Sequence, residues 1–142
     1  MKIAGSYELP QERERAWTLL QDPVVLADAI PGCEELVQTG PDEYAMRMKL
    51  IIASLNGVFA GKVRLADQDR PDRFRLLVEG SGKIGFVKGE GVLTLAPANE
   101  RTEVRYEGDV QIGGMIAGVG QRLLDATARM LIKRFFKTLA AV

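Results

Sequence analysis

Apolar and polar residues alternate with a period of two through the middle of the chain and shift to a helical period at its end. Tyr44, Met46, Met48, Leu50 and Ile52 alternate with Ala45, Arg47, Lys49 and Ile51, the spacing of a strand with one buried face. Asn56-Gly57 is a turn signal, after which Phe59, Gly61, Val63 and Leu65 alternate with Ala60, Lys62 and Arg64. Arg70-Pro71-Asp72 makes another turn, and Phe74, Leu76 and Val78 then alternate with Arg73, Arg75 and Glu79. Two further runs follow, Phe86–Leu95 and Thr102–Ile112, the last with Val104, Tyr106, Val110 and Ile112 on one face. Upstream, Lys2–Leu9 predicts a short strand closed by Pro10, and Gln11–Gln21 a helix with Trp17 and Leu20 pointing inward. Asp22-Pro23 starts a second short helix, Asp as N-cap and Pro just inside it, which ends before Pro31-Gly32. Cys33–Thr39 then reads as a strand, followed by a Gly40-Pro41-Asp42 turn.

The chain from Met115 to Val142 contains no proline and runs at helical spacing. Ile116, Val119, Leu123, Met130 and Leu131 make one stripe, widened by Leu124, Phe135 and Leu139, with Gln121, Arg122, Asp125 and Arg129 opposite. A helix of about 26 residues is roughly 39 Å long at 1.5 Å per residue, enough to cross the concave face of a curved sheet. The prediction is an α+β helix-grip domain spanning 1–142. A curved antiparallel sheet of about six to seven strands wraps the long C-terminal helix, and two short helices follow the first strand.

A bent sheet and a straight helix touch fully only at some points, so the gap between them is a candidate cavity. Two features bear on whether it is filled. Glycines are abundant within the elements, at Gly80, Gly82, Gly85, Gly89 and Gly91, then Gly108, Gly113, Gly114, Gly118 and Gly120, and glycine in a strand marks a bend or a close approach. Met46, Met48, Met115 and Met130 fall on predicted inward positions, and methionine adapts to irregular partners. One reading is that the glycines only bend the sheet and the methionines fill its core. The other is an apolar cavity for a large hydrophobic ligand with few polar anchors.

Composition narrows the chemistry. The chain has no His and one Cys, Cys33. A Ser-His-Asp or Cys-His nucleophile pair is thereby excluded, as are His-ligated zinc, haem or non-haem iron, an internal disulfide and a cysteine metal cluster. With 19 basic and 19 acidic residues the formal net charge is zero, against broad nucleic-acid binding. The charges are unevenly placed. Asp22, Asp28, Glu34, Glu35, Asp42 and Glu43 stand in a stretch without Lys or Arg, and Arg129, Lys133, Arg134 and Lys137 in a closing stretch without acids. The basic end fits a helix C-terminus, or a docking surface for an anionic partner or membrane face. Met1-Lys2-Ile3 runs directly into polar residues, which predicts no signal peptide. The longest uncharged stretches, Leu50–Gly61 and Val110–Gln121, fall short of the roughly 20 apolar residues of a membrane span, so a soluble chain is expected.

Several motifs fail on context. Gly80-Ser81-Gly82-Lys83-Ile84-Gly85 satisfies the dinucleotide-binding spacing but lies between two strands and opens no helix. Gly85-Phe86-Val87 lacks the neighbours of an RNA-binding strand motif, and Gly57–Lys62 lacks the full phosphate-loop spacing. Glu34 with Glu35, or Glu90 with Glu107, are conceivable acid–base pairs, but charged residues on strands ordinarily form a solvated face.

Four separated motifs carry a family resemblance. They are Trp17–Leu20 with Asp22-Pro23 and Pro31-Gly32-Cys33-Glu34-Glu35-Leu36; Gly85-Phe86-Val87-Lys88-Gly89-Glu90-Gly91-Val92-Leu93-Thr94-Leu95; Tyr106 to Gly114; and Ile116 to Phe136 through Gly118-Val119-Gly120-Gln121-Arg122-Leu123-Leu124. Together they resemble the CoxG-like family of carbon monoxide dehydrogenase subunits, a branch of the SRPBCC superfamily that also holds START and birch-pollen-allergen-like proteins. The resemblance implies a hydrophobic tunnel in a helix-grip fold, with no catalytic residues, no covalently bound cofactor and no metal. It implies partnership with a molybdenum hydroxylase-type carbon monoxide dehydrogenase, peripheral attachment at the cytoplasmic membrane, and a quinone of menaquinone or ubiquinone type as ligand. Longer members carry a C-terminal anchoring extension; here the sequence stops at Val142, directly after the predicted helix.

The expected cavity lining is Met46, Met48, Phe59, Phe74, Phe86, Tyr106, Ile116, Val119, Leu123 and Met130, with Tyr106 the polar contact for a carbonyl oxygen, since a buried phenol needs a hydrogen-bond partner. The expected portal is Ile30, Pro31, Gly113 and Gly114, and the expected partner or membrane contact Arg129, Lys133, Arg134 and Lys137. Two rival readings stay open: a recruitment module with a filled core, and a small cyclase-like enzyme with a buried carboxylate or tyrosine.

Overall fold

The computed structural model describes all of residues 1–142. Its elements are β1 (Lys2–Leu9), α1 (Arg13–Leu19), α2 (Pro23–Ala29), β2 (Cys33–Gly40), β3 (Glu43–Ile52), β4 (Leu55–Asp69), β5 (Arg73–Gly82), β6 (Gly85–Ala98), β7 (Arg101–Gly113), a 3₁₀ turn (Met115–Val119) and α3 (Gln121–Ala140). The seven strands form one sheet in the order β1-β7-β6-β5-β4-β3-β2, every neighbouring pair antiparallel. β1 and β2 lie at opposite edges, so α1 and α2 carry the chain from one edge to the other. Each helix starts where an acidic side chain takes up free backbone donors: Glu12 accepts from Glu14 N and Arg15 N, and Asp22 Oδ1 accepts from Val24 N at 2.9 Å.

The sheet bends where glycines face each other across strands. Gly61 pairs with Gly80 and Gly91 with Gly108. A Cβ on Gly61 would overlap the Glu79 carbonyl oxygen, and one on Gly108 would come within 2.7 Å of the Glu90 carbonyl oxygen. The backbones therefore approach more closely there than side chains allow.

Two separate apolar clusters join sheet and helices. The larger lies under α1 and the end of α3, where Leu9, Trp17, Leu95, Val104, Phe136 and Leu139 are buried and Trp17 meets Phe74 edge-on at 5.3 Å. The smaller gathers Ile52, Phe59, Ile84, Ile116 and Leu124 around the start of α3. Only 19 of 142 residues are buried. The apolar residues of the mid-sheet concave face, such as Met46, Leu76, Val78, Leu93 and Val110, are merely half-buried, which a solid core would not leave.

The single long C-terminal helix expected from the sequence is corrected. Residues Met115–Val119 form a 3₁₀ turn, Gly120 takes φ 97° and ψ 152°, and α3 runs for 20 residues, about 30 Å. Such a positive φ favours glycine and interrupts the helix. The break resets the rotation of everything that follows.

Candidate functional site

Between the two clusters α3 stands away from the concave face, leaving a cavity of about 430 Å³ lined by 27 residues, 18 of them hydrophobic. This lies within the roughly 300–1,000 Å³ of small-molecule sites. The floor comes from inward positions of five strands: Met46, Met48 and Leu50 on β3, Phe59 and Gly61 on β4, Leu76, Val78 and Gly80 on β5, Val87 to Leu93 on β6, and Tyr106, Gly108 and Val110 on β7. Ile3 closes one side; Ile30 and Pro31, after α2, close another. Ala128, Leu131, Ile132, Phe135 and Phe136 form the roof, the three- and four-residue spacing of one helix face.

Polar groups are scarce in this wall. Glu79, Glu90 and Glu107 belong to it beside the glycines, but their side chains are exposed. Glu79 and Glu90 also line a larger groove, about 810 Å³, on the convex face. There Lys62, Glu79 and Lys88 stand opposite one another on successive strands, a solvated ladder of alternating charge. Glu34 and Glu35 are likewise exposed and both face Arg47.

Tyr106 is the polar feature of the cavity. Its ring stacks on Phe136 with centroids 5.8 Å apart, and Phe136 stacks in turn on Tyr7 at 5.5 Å. The Tyr106 hydroxyl lies over Gly5, where any Cβ would collide with it. Tyr44, by contrast, donates its hydroxyl to the Gln21 carbonyl at 3.2 Å, and burial raises its pKa above the ordinary tyrosine value. The Tyr106 hydroxyl has no such partner within the chain. Burial also raises the Cys33 thiol pKa, so it stays protonated at neutral pH and makes a poor nucleophile.

The structure divides the expected lining. Met46, Met48, Phe59 and Tyr106 line the cavity, as do Ile30 and Pro31 of the expected portal. Phe74 does not: it is buried against Trp17 at the far end of β5. Phe86 is on the outer face, its ring covering Gly113, because Val87 and not Phe86 shares the inward parity of Gly89, Gly91 and Leu93. Ile116 is buried in the smaller cluster and Val119 packs against it. Leu123 and Met130 are exposed, displaced by the reset at Gly120, and Met115 is exposed on the 3₁₀ turn. Gly113 and Gly114 lie against Phe86 and Gly85, away from the cavity wall. Arg129 is held by Asp125 at 2.8 Å, while Lys133, Arg134 and Lys137 are exposed on the outer face of α3. The roof residue Phe136 and the floor residues Leu76, Val87 and Leu93 were absent from the expected set, although the inward alternation of β5 and β6 includes them.

The CoxG family of carbon monoxide dehydrogenase subunits matches residues 5–142. The chain belongs to this family. The CoxG assignment agrees with the four sequence motifs, and solved structures agree with the helix-grip fold. A conserved protein from Geobacillus kaustophilus is 36% identical, covers 99% of this chain and 93% of its own, and superposes with a TM-score of 0.95. A START superfamily protein from Mycobacterium smegmatis is 14% identical over 99% of this chain and 94% of its own, with a TM-score of 0.74. The Zhui aromatase/cyclase from Streptomyces sp. R1128 is 14% identical over 99% and 92%, with a TM-score of 0.71. At that identity the last two show the fold alone. No curated protein matches the sequence.

Proposed function

We propose that this CoxG-family domain is a non-catalytic carrier. It holds a quinone of menaquinone or ubiquinone type between sheet and α3, and links a molybdenum-containing carbon monoxide dehydrogenase to the quinones of the cytoplasmic membrane. The observation that carries the reading is the apolar cavity of about 430 Å³ with a single free phenol in its wall. The family description supplies the partner. Oxidation of carbon monoxide with water yields carbon dioxide, two protons and two electrons. Those protons and electrons convert a quinone into a quinol, so a container that presents quinone to the enzyme completes the balance without redox groups of its own. The exposed Lys133, Arg134 and Lys137, on the side of α3 away from the cavity, provide the face for docking the dehydrogenase.

Reconstitution tests this directly. With the dehydrogenase and quinone-loaded vesicles, carbon-monoxide-dependent quinol formation should rise with substoichiometric amounts of the domain. A rate independent of the domain contradicts the carrier role. Charge reversal at Lys133, Arg134 and Lys137 should remove the stimulation while leaving quinone uptake unchanged. Loss of stimulation by a variant that still docks but holds no quinone separates carriage from mere recruitment.

Tyr106→Phe keeps the stacked ring and removes the hydroxyl. If that hydroxyl donates to a quinone carbonyl, affinity should fall by about 1 kcal/mol, roughly five- to tenfold, the net worth of one neutral hydrogen bond. Equilibrium titration with a soluble quinone analogue measures it; unchanged affinity would move the anchor elsewhere.

A further inference from the structure

The fold brings the uncharged parts of the sequence to one end of the molecule. Leu50–Gly61, which forms the β3–β4 hairpin, carries no charged residue. Gly80–Val87, around the β5–β6 turn, carries only Lys83, and Val110–Leu124, from the end of β7 into α3, carries only Arg122. These three segments meet: Ile84 packs over Gly57, Ile116 N donates to the Ile84 carbonyl at 2.8 Å, and their inward residues form the smaller cluster. Their outward residues are left bare. Ile51 is 63% exposed, Met115 60%, Phe86 48%, Val58 42% and Leu123 38%.

A chain of zero net charge has thus removed every acid from an end that displays large apolar side chains. The residues bordering it along β3 and β6 are Lys49 and Lys88; the first acids, Glu79, Asp109 and Asp125, stand just beyond the three segments. Apolar side chains on hairpin ends and a short turn, accompanied only by cations, complement an interface of acyl chains beneath anionic headgroups. No helix of the chain is long and apolar enough to cross a membrane. We infer that this end docks on the surface of an anionic lipid bilayer, with Phe86, Met115 and Ile51 entering the headgroup region and Lys83 and Arg122 meeting lipid phosphates. The contact is at the opposite end of α3 from Lys133, Arg134 and Lys137, so membrane and enzyme faces are separate. Leu50, Phe59 and Val87 of the same segments line the cavity, which places lipid next to the container; this use of the contact rests on the carrier reading, whereas the contact itself does not.

Sedimentation with quinone-free vesicles of mixed phosphatidylglycerol and phosphatidylcholine tests the contact alone. Binding should require phosphatidylglycerol and weaken with salt. It should fall roughly tenfold or more in Lys83→Glu with Arg122→Glu, and likewise in Met115→Ser with Ile51→Ser, both at fully exposed or half-exposed sites that leave the melting curve in place. Phe86→Ser, whose ring also covers Gly113, serves as a second apolar variant. Lys133→Glu with Lys137→Glu should leave vesicle binding unchanged. Binding that survives the apolar and basic variants, or that depends on Lys133 and Lys137, overturns the proposal. So does a concentration-dependent dimer abolished by Met115→Ser and Ile51→Ser without vesicle binding, which would assign this end to a second copy. Uptake of a quinone analogue, measured separately in detergent, reports the container independently: its loss alone contradicts the carrier and not the contact.

Discussion

Gly80→Phe yields a folded domain that no longer retains a hydrophobic ligand. Gly80 is part of the cavity wall, and a Cβ built there meets nothing nearer than the Ala60 carbonyl oxygen at 3.6 Å, so the backbone accepts a side chain. Beyond that Cβ the open direction is the cavity, and a benzyl group there takes space a ligand needs. Overpacking a filled core costs about 1–3 kcal/mol; filling an empty one should cost less, and a melting midpoint within a few degrees of wild type is expected. Ligand retention should fall roughly 100-fold, equivalent to about 2.7 kcal/mol, measured as lipid per mole of purified protein. Full retention in this variant places the ligand elsewhere.

Its cross-strand partner responds in the opposite way. Gly61→Ala adds one methyl group, yet that methyl would overlap the Glu79 carbonyl oxygen and lie 2.6 Å from Gly80 Cα. Both obstacles are backbone, so relief requires β4 and β5 to separate where they are paired. A destabilisation of about 3 kcal/mol is expected, at the upper end of overpacking costs, read from denaturant unfolding. A change below about 1 kcal/mol would mean that the sheet relaxes there and that the glycine pair does not set its bend. Two glycines facing each other thus hold different roles: Gly61 permits close strand approach, and Gly80 keeps the cavity open.

Period-two alternation was enough to read the antiparallel sheet and its inward face, because each strand from β3 to β7 buries one side only. It was not enough to say where along each strand a residue sits relative to the helices. Phe74 and Leu76 are both inward on β5, but Phe74 lies under Trp17 and Leu76 under the open span of α3. On β6 the glycines obscure the alternation itself: in Val87-Lys88-Gly89-Glu90-Gly91-Val92 the inward positions are mostly empty, and Phe86 is easily assigned to the wrong face. On the C-terminal helix the error is one of phase. Ile116 and Val119 belong to the smaller cluster around a 3₁₀ turn, and α3 begins a new rotation after Gly120. The inward row is therefore Leu124, Ala128, Leu131, Phe135 and Leu139 with Ile132 and Phe136, not one through Leu123 and Met130. Motif resemblance reached the family because its signatures are local; the cavity is assembled from positions on separate strands and on α3, and no single stretch displays it.

The uncharged stretches Leu50–Gly61 and Val110–Gln121 show the same difference between pattern and placement. In sequence they are only too short to span a membrane; folded, they converge on one end with Lys83 and Arg122 as the charges among them.

The most direct measurement is mass spectrometry of organic extracts from the folded domain purified from a quinone-containing host. The expected result is a stoichiometric or near-stoichiometric quinone, depleted in Gly80→Phe. Wild-type protein that yields no quinone, or that carries another lipid class in its place, contradicts the quinone carrier.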